Sequence, residues 1–282
     1  MKDFQRILNA FPQVGKVSFF RVGEPLLNKD FVRMVVIATS RGIRTEASTN
    51  LHVSPFGKKV AREIVRSGLV ELVVSIDGAS QDTYQQYRIG GRFDIVLRNL
   101  KELLEAKKEM RSTLPIVVWQ YLLHRGNEGD LEKARRMADE LGCWFVAREL
   151  CYGLDQADRW APGAEARSKL GALSVNIPST AELRVLLGLA SGAPELGDAI
   201  GAAGYCAQAW DQPGLDGEGW VYPCCMICDK AHALGNIFER PFKEIWNSPK
   251  AVALRRYLKF GGSSKGLPCL TCPVNPRRSS MA

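Results

Sequence analysis

The end of the chain is crowded with thiols. Cys206, Cys224, Cys225, Cys228, Cys269 and Cys272 are six of its eight cysteines, the others being Cys143 and Cys151. A scattered cysteine packs as a small hydrophobe and needs no chemical explanation. A local concentration does: where disulfides are rare, clustered thiols point to a metal, because thiolates bind soft cations well. "CLTC" sets Cys269 and Cys272 in a C-x2-C pair able to share one site, and a proline follows, as in iron–sulfur runs. Four ligands are wanted, and Cys206 with one member of "CCMIC" completes the set. Cys224 ends a G-x4-C turn that starts at Gly219, whereas Cys225 and Cys228 form a second C-x2-C. Zinc accepts the same four thiolates, so ligand chemistry leaves zinc and an iron–sulfur cluster equal.

A second set of capable residues stands where apolar runs end, in "VGEP", "STN", "SIDG" and "HRGN". Each alone reads as a turn, since Gly, Asn, Asp and Pro break strands. Their succession carries the argument, because the carboxyl ends of parallel strands converge on one mouth. The elements that would place them there alternate from the start of the chain to about Cys151. An opening helix "DFQRILNAF" precedes the strand "KVSFFRV" and the helix "KDFVRMVVIATSRG", closed at Gly42. The strand "RTEASTN" leads to a helix "SPFGKKVAREIVRSG", with Ser54 and Pro55 as its cap. "VELVVSID" is too continuously apolar for a half-exposed strand and predicts cover on both faces. The helix "FDIVLRNLKELLEA" lines Phe93, Val96, Leu97, Leu100, Leu103 and Leu104 along one stripe. "PIVVWQYLL", "DLEKARRMADELG" and "CWFVAREL" complete five strands with helices between them, a parallel sheet able to curl as a partial barrel.

From Tyr152 to Tyr205 the chain is rich in Ala, Gly and Leu, with a capping-box start at Ser179 to Glu182 before "ELRVLLGLA", and reads as a linker with helices. Beyond Cys206 a small module follows: two short strands around "GEGWVYPCC", helices "FKEIWNS" and "KAVALRRYLK", then "CLTCP". The 282 residues are 46% hydrophobic and 24% charged, ordinary globular composition with ample material for a core. No apolar run reaches the length that spans a bilayer, and the polar opening excludes a signal peptide, so a cytoplasmic protein without a membrane partner is expected. The net charge of +8 is spread over mixed-charge helices and argues for solubility and against nucleic acid.

Taken in order, "VGEPLLNKDF", "STN", "VSIDGASQDTYQQYR" with "GRFDIVLRNLKEL", and then "C…GEGWVYPCC…LGNIFERPFKEIWNS…LR…CLTC" resemble the successive signatures of radical S-adenosylmethionine (AdoMet) enzymes with a C-terminal SPASM or single-cluster "twitch" domain. The resemblance covers nearly the whole chain except the linker and decides for iron and sulfide over zinc. It implies an α/β fold: a partial (β/α)6 TIM-like barrel lacking its first strand and cluster loop over residues 1–151, a linker over 152–205, and a small cysteine-rich iron–sulfur module over 206–282. It implies that Gly23, Glu24 and Pro25 offer backbone groups to the methionyl amine of AdoMet, with Val22 where the family often has another glycine. It likewise places Thr49, Asn50, Ser75 and Asp77 along the ribose and carboxylate. Cys206, Cys224, Cys269 and Cys272 are assigned to one auxiliary [4Fe–4S] cluster. The implied activity is that of an oxidoreductase or maturase using a 5′-deoxyadenosyl radical on a small-molecule or peptide substrate, with an electron donor such as flavodoxin or ferredoxin.

The family's C-x3-C-x2-C loop, which binds the radical-generating [4Fe–4S] cluster, should precede "DFQRILNAF", where this sequence begins at Met1. Neither Cys143 nor Cys151, at the two ends of the last barrel strand, replaces it. The expectation is that Met1 is an internal methionine of a longer protein, and that the chain as given does not run the family chemistry. The alternative is a non-catalytic binding protein, stabilised by zinc or a cluster, on the same scaffold. Outside the motifs, His52 and His124 lie just past strand ends near the mouth, Arg148 and Glu149 near the last one, while His232 reads as structural. Trp210, Trp220 and Trp246 read as core of the small module.

Overall fold

The structure, a computed structural model, describes residues 1–150, 156–173, 206, 208–224, 226–261, 269 and 272. The chain divides into two compact units, one within Gly15–Ala193 and the other joining Met1–Val14 to Pro194–Ala282. In chain order the first elements are α1 (Lys2–Ala10), β1 (Lys16–Phe19), α2 (Phe31–Ser40), β2 (Arg44–Thr49), α3 (Lys58–Arg66), β3 (Glu71–Ser75) and α4 (Gln81–Tyr87). They are followed by α5 (Phe93–Glu109), β4 (Ile116–Leu123), α6 (Leu131–Leu141), β5 (Trp144–Glu149), α7 (Ala157–Trp160) and α8 (Ala164–Leu173).

The five strands pair in sequence order, every pair parallel. Side chains alternate between sheet faces, and right-handed crossovers between adjacent strands put every helix on the same side. Ala47, Leu72, Val74, Trp119, Tyr121, Phe145 and Ala147 form that side's core with Val35, Ile64, Leu100, Leu103 and Ala134 of the helices. The opposite face is the inner face of a partial TIM-like barrel. Its lowest rung is ionic: Ser18, Glu46 and Glu71 lie side by side on successive strands, with Lys16 on Glu46 at 3.1 Å and Arg44 on Glu71 at 3.2 Å. Ile116, beside Glu71 in that rung, and Val73, Val118 and Val146 above it make a small apolar plug. The apolar run of β3 is therefore covered on both faces as expected, but helices cover one and this plug the other.

Two local expectations are corrected. The helix after β2 begins at Lys58 behind Gly57, so Ser54 and Pro55 lie in the preceding loop and cap nothing. The short helix α4, not anticipated from its polar sequence, starts where the Ser80 hydroxyl accepts from Thr83 N. The capping-box helix expected after Ser179, together with Cys151 and Cys225, lies outside the described residues.

The second unit contains α9 (Gln208–Asp211), an antiparallel sheet of β6 (Gly214–Leu215), β7 (Trp220–Tyr222) and β8 (Gly235–Asn236), then α10 (Phe242–Trp246) and α11 (Pro249–Phe260). Val221, Leu234, Ile245 and Ala251 form one small core. The opening helix packs here, with the Arg6 guanidinium 4.4 Å over Phe238 and Phe11 4.2 Å from Phe242 between ring centres. Such packing adds apolar area to a module otherwise short of it. No helix among the described residues is long and apolar enough to cross a membrane.

Candidate functional site

The loop after β1 is shaped by one carboxylate. Glu24 Oε1 accepts from Leu26 N at 3.1 Å and from the Thr49 hydroxyl at 2.6 Å, and Oε2 accepts from Asn50 N at 2.8 Å. The side chain thus ties this loop to the end of β2, while Gly23 is exposed and Pro25 O accepts from Asn28 N at 3.0 Å. Gly23 has φ +94°, which only glycine adopts cheaply, and nothing lies within 4 Å of where a Cβ would stand. Such a backbone can be approached closely by a ligand. The next loop is equally determined: Thr49 Oγ1 accepts from Leu51 N, and Asn50 Oδ1 accepts from His52 N. Asn99, buried on α5, donates to both Leu51 O and Val53 O at 3.0 Å, and Leu51 is held at φ +51°. A non-glycine residue there costs about 1 kcal/mol or more, so the loop geometry is imposed by its surroundings.

Asp77, past β3, is fully buried. Its Oδ1 accepts from Leu122 N at 2.7 Å and its Oδ2 from Arg88 Nε at 2.6 Å. Burial pushes its carboxyl above the usual carboxylate range, against the pull of Arg88 and the Leu122 amide. Both oxygens are taken, so the side chain clamps the ends of β3, α4 and β4 together. Asn127 completes the clamp, donating to Asp77 O and Leu122 O and accepting from His124 N. Asp130 gathers the start of α4 through Ala79 N and Thr83 Oγ1. Ser75, at the end of β3, is buried beside Gln120 of β4 on the inner face. Among the described residues neither of these two side chains makes a hydrogen bond.

His124 sits at the carboxyl end of β4, fully buried among aromatic rings, with Trp160 at 5.2 Å and Tyr87 at 5.7 Å between centres. Gly126 N donates to its Nδ1, which fixes the proton on Nε2, and Nε2 has no partner among the described residues. Burial lowers its pKa from 6.5 to about 4. His52 also has a buried Nε2 without a described partner. Asn99, which holds one of these loops, was not anticipated, and Asn127 of "HRGN" had no role assigned to it. Asn99 does interrupt the apolar stripe of its helix, and a polar residue on a buried face was the available signal.

In the other unit a tight turn aims the cysteine-bearing segment. Asp216 Oδ1 accepts from Glu218 N and Trp220 N, and Oδ2 from the Tyr222 hydroxyl at 2.9 Å. Gly219, at φ +87°, has no room for a side chain, since a Cβ would meet Phe238 at 2.5 Å. Cys224 follows β7 and is buried with Tyr222 and Ile227. Cys269 is buried against Ala209, Leu254, Tyr257 and Leu258, with Cys206 packed alongside. Cys272 is half-buried, its amide on Cys269 O, whereas Cys228 is exposed. Burial, and then repulsion from Cys224, Cys272 and Cys206, push the Cys269 thiol up to about 12. Cys269 therefore senses the other three predicted ligands. Among the described residues no three His, Cys, Asp or Glu side chains are placed to hold a single ion. Four cysteines gathered about Cys269, each an anionic donor once iron displaces its proton, suit a [4Fe–4S] cluster, so these residues fit that group.

Compared with known proteins, residues 2–138 match the radical SAM superfamily and residues 206–273 match SPASM, an iron–sulfur cluster-binding domain. Among curated relatives, the AdoMet-dependent heme synthase of Methanosarcina barkeri is 25% identical over 276 residues, covering 87% of this chain and 72% of the relative. Mycofactocin maturase MftC of Mycolicibacterium smegmatis is 26% identical over 281 residues, 95% of this chain and 67% of the relative. MftC of Mycobacterium ulcerans is 28% identical over 240 residues, 83% of this chain and 62% of the relative. The chain thus spans about two thirds of these proteins' length. Among solved structures, Streptococcus suis SuiB aligns over 97% of this chain and 64% of its own, with TM-score 0.66 and 15% identity. SuiB bound to precursor peptide SuiA gives 0.60 at 15% identity, over 98% of this chain and 63% of its own. The enzyme anSMEcpe with bound AdoMet gives 0.61 at 18% identity, over 96% and 75%. At such identities the structures establish the fold. The two family matches, one on each side of the linker, identify the chain as a member of the radical SAM superfamily carrying a C-terminal SPASM iron–sulfur cluster-binding domain, with [4Fe–4S] and AdoMet as its cofactors.

Proposed function

We propose that this chain is the AdoMet-binding and auxiliary-cluster body of a maturase-type oxidoreductase acting on a peptide or small-molecule substrate. The observation that carries the reading is the placement of Cys206 and Cys272 beside buried Cys269, whose thiol also senses Cys224, within the SPASM match. Peptide chemistry is supported by the relatives: MftC is named a maturase, and SuiB was solved with a precursor peptide. Cys206, Cys224, Cys269 and Cys272 would hold the auxiliary cluster. Gly23 and Pro25 would present backbone groups to the AdoMet amine, with Glu24 and Thr49 fixing that backbone. Asn50 and Ser75 would face the rest of the cofactor, while Asp77 acts through the loops it clamps. A reduced [4Fe–4S] cluster, when bound at a C-x3-C-x2-C loop, supplies the electron that cleaves AdoMet to the 5′-deoxyadenosyl radical. A cytoplasmic setting would provide that electron from a flavodoxin or ferredoxin.

The 282 residues contain no C-x3-C-x2-C run. A polypeptide of this sequence alone should bind AdoMet weakly and release no 5′-deoxyadenosine, which keeps a non-catalytic, cluster-stabilised binding protein as the second reading. Anaerobic reconstitution with iron and sulfide tests the cluster: the protein should turn brown, Cys269→Ala and Cys272→Ala should not, and Cys228→Ala should. Chromatography of dithionite reactions tests the chemistry on this chain and on one extended by a segment supplying the three cysteines. 5′-Deoxyadenosine from the extended chain alone supports catalysis; none from either supports the binding protein.

A further inference from the structure

Among the described residues, the acidic groups on the inner face of the five-stranded sheet each have a cation: Lys16 for Glu46, Arg44 for Glu71 and Arg88 for Asp77. One cation on that face has no such match. Arg148 follows Val146 by two residues, and Val146 packs in the inner plug, so the alternation of β5 points Arg148 to the same face. It stands opposite Leu122 of β4, one rung above the pair formed by Gln120 and Val146. Arg148 is exposed and, among the described residues, makes no hydrogen bond or ion pair. Its neighbour Glu149 cannot neutralise it, because that carboxylate points to the other face and is held by Arg167 at 2.9 and 3.1 Å. Gln120 lies diagonally across from Arg148, at a spacing long side chains bridge, and its amide is likewise unused.

We infer that Arg148 and Gln120 together bind a carboxylate of the substrate. The inference rests on the reading that this end of the sheet faces AdoMet and substrate, and it narrows the substrate class to molecules with an acidic group near the reacting centre, such as a peptide with an acidic side chain or a free carboxyl terminus. A guanidinium fork matches a carboxylate through two parallel hydrogen bonds, and an adjacent amide N–H adds a third donor at a short, directional contact. Leu122 and Val146 on either side are half-buried and offer apolar surface to the aliphatic part of such a substrate.

The probes are N-acetylglutamate amide and its neutral isostere N-acetylglutamine amide, titrated against the full chain by ligand-observed NMR. Wild type should favour the glutamate probe by about tenfold, the difference expected when a charge-assisted pair replaces a neutral one. Arg148→Gln should abolish that preference, Arg148→Lys should retain part of it, and Gln120→Leu should weaken binding of the charged probe. Because Arg148 is exposed and has no side-chain partner among the described residues, unchanged unfolding curves are expected and serve as the folding control. AdoMet is titrated in parallel: excess AdoMet should leave the glutamate probe bound. Displacement by AdoMet would assign Arg148 to the cofactor's own carboxylate and overturn the proposal, as would equal binding of the two probes, no binding of either, or a preference that survives Arg148→Gln. Because this chain alone is expected to bind AdoMet weakly, AdoMet is used in large excess; no binding even there, with the carboxylate preference intact, would count against the AdoMet reading alone.

Discussion

His124 makes the fold sensitive to mild acid, and the size of the effect follows from its surroundings. The ring is fully buried, its Nδ1 accepts from Gly126 N, and its faces and edges meet Tyr87 and Trp160. Among the described residues no carboxylate reaches it to favour the imidazolium, and burial lowers its pKa from 6.5 to about 4. In the unfolded chain the imidazole titrates near its ordinary value, so the fold holds it neutral and gains stability above about pH 6.5. That stability is lost as pH falls from 6.5 toward 4. At about 1.4 kcal/mol per pH unit the full loss is about 3 kcal/mol, of which about 2 kcal/mol is gone by pH 5. The interval from pH 7 to 5 is the informative one, since most carboxylates do not yet titrate there. Urea unfolding, followed by far-UV circular dichroism at several pH values, should show wild-type stability falling by about 2 kcal/mol over that interval. His124→Gln keeps an acceptor for Gly126 N but cannot be protonated, so the variant should lose some stability throughout and show a much flatter profile. The variant also corrects for His52 and His232, which remain. Parallel profiles for the two proteins would refute the reasoning.

Three further outcomes follow from the site. Glu24→Gln leaves one of three donors facing an N–H instead of an oxygen and should cost about 1–2 kcal/mol, whereas Glu24→Ala orphans Leu26 N, Asn50 N and Thr49 Oγ1 and should cost about 3 kcal/mol, read as a lower urea midpoint. Arg88→Met strips the counterion from a fully buried carboxylate and should cost about 3 kcal/mol at pH 7. Because the Asp77 carboxyl is already raised by burial, its ionisation opposes folding, so stability from this group is full below about pH 4 and is lost as pH rises through the folded value. The Arg88→Met penalty should accordingly shrink in acid, and a pH-independent penalty would contradict the clamp. Removing iron with a chelator under reducing conditions should lower the thermal midpoint of the cysteine unit, and Cys228→Ala should leave that shift unchanged.

Much of this architecture was legible because it is carried by short-range patterns. Alternation of apolar runs and helix stripes located all five strands, and Gly42 and Gly142 marked their helix ends through the left-handed turns that glycine permits. What escaped depended on contacts across the fold. The end of β1 at Phe19 could not be read from "KVSFFRV", since its apolar character continues while Phe20 and Val22 stand exposed. Ser54 and Pro55 look like a helix cap in isolation, but Asn99, 46 residues away from Val53, holds that stretch as loop. The opening helix has the amphipathic pattern of any barrel helix, and nothing local tells that Arg6 and Phe11 pack on Phe238 and Phe242. The strand-end motifs show the same division between type and role. The family resemblance brought Glu24 forward for its backbone and Asp77 as an AdoMet contact, and each carboxylate is occupied by backbone and side-chain donors of neighbouring loops. Their acidity is used to hold other groups still, which is what a site needs when the binding atoms belong to the backbone. Among the described residues, Ser75 of "SIDG" and, outside the strand-end motifs, Gln120 and Arg148 make no side-chain hydrogen bond on the inner face, and that capacity is open to a ligand.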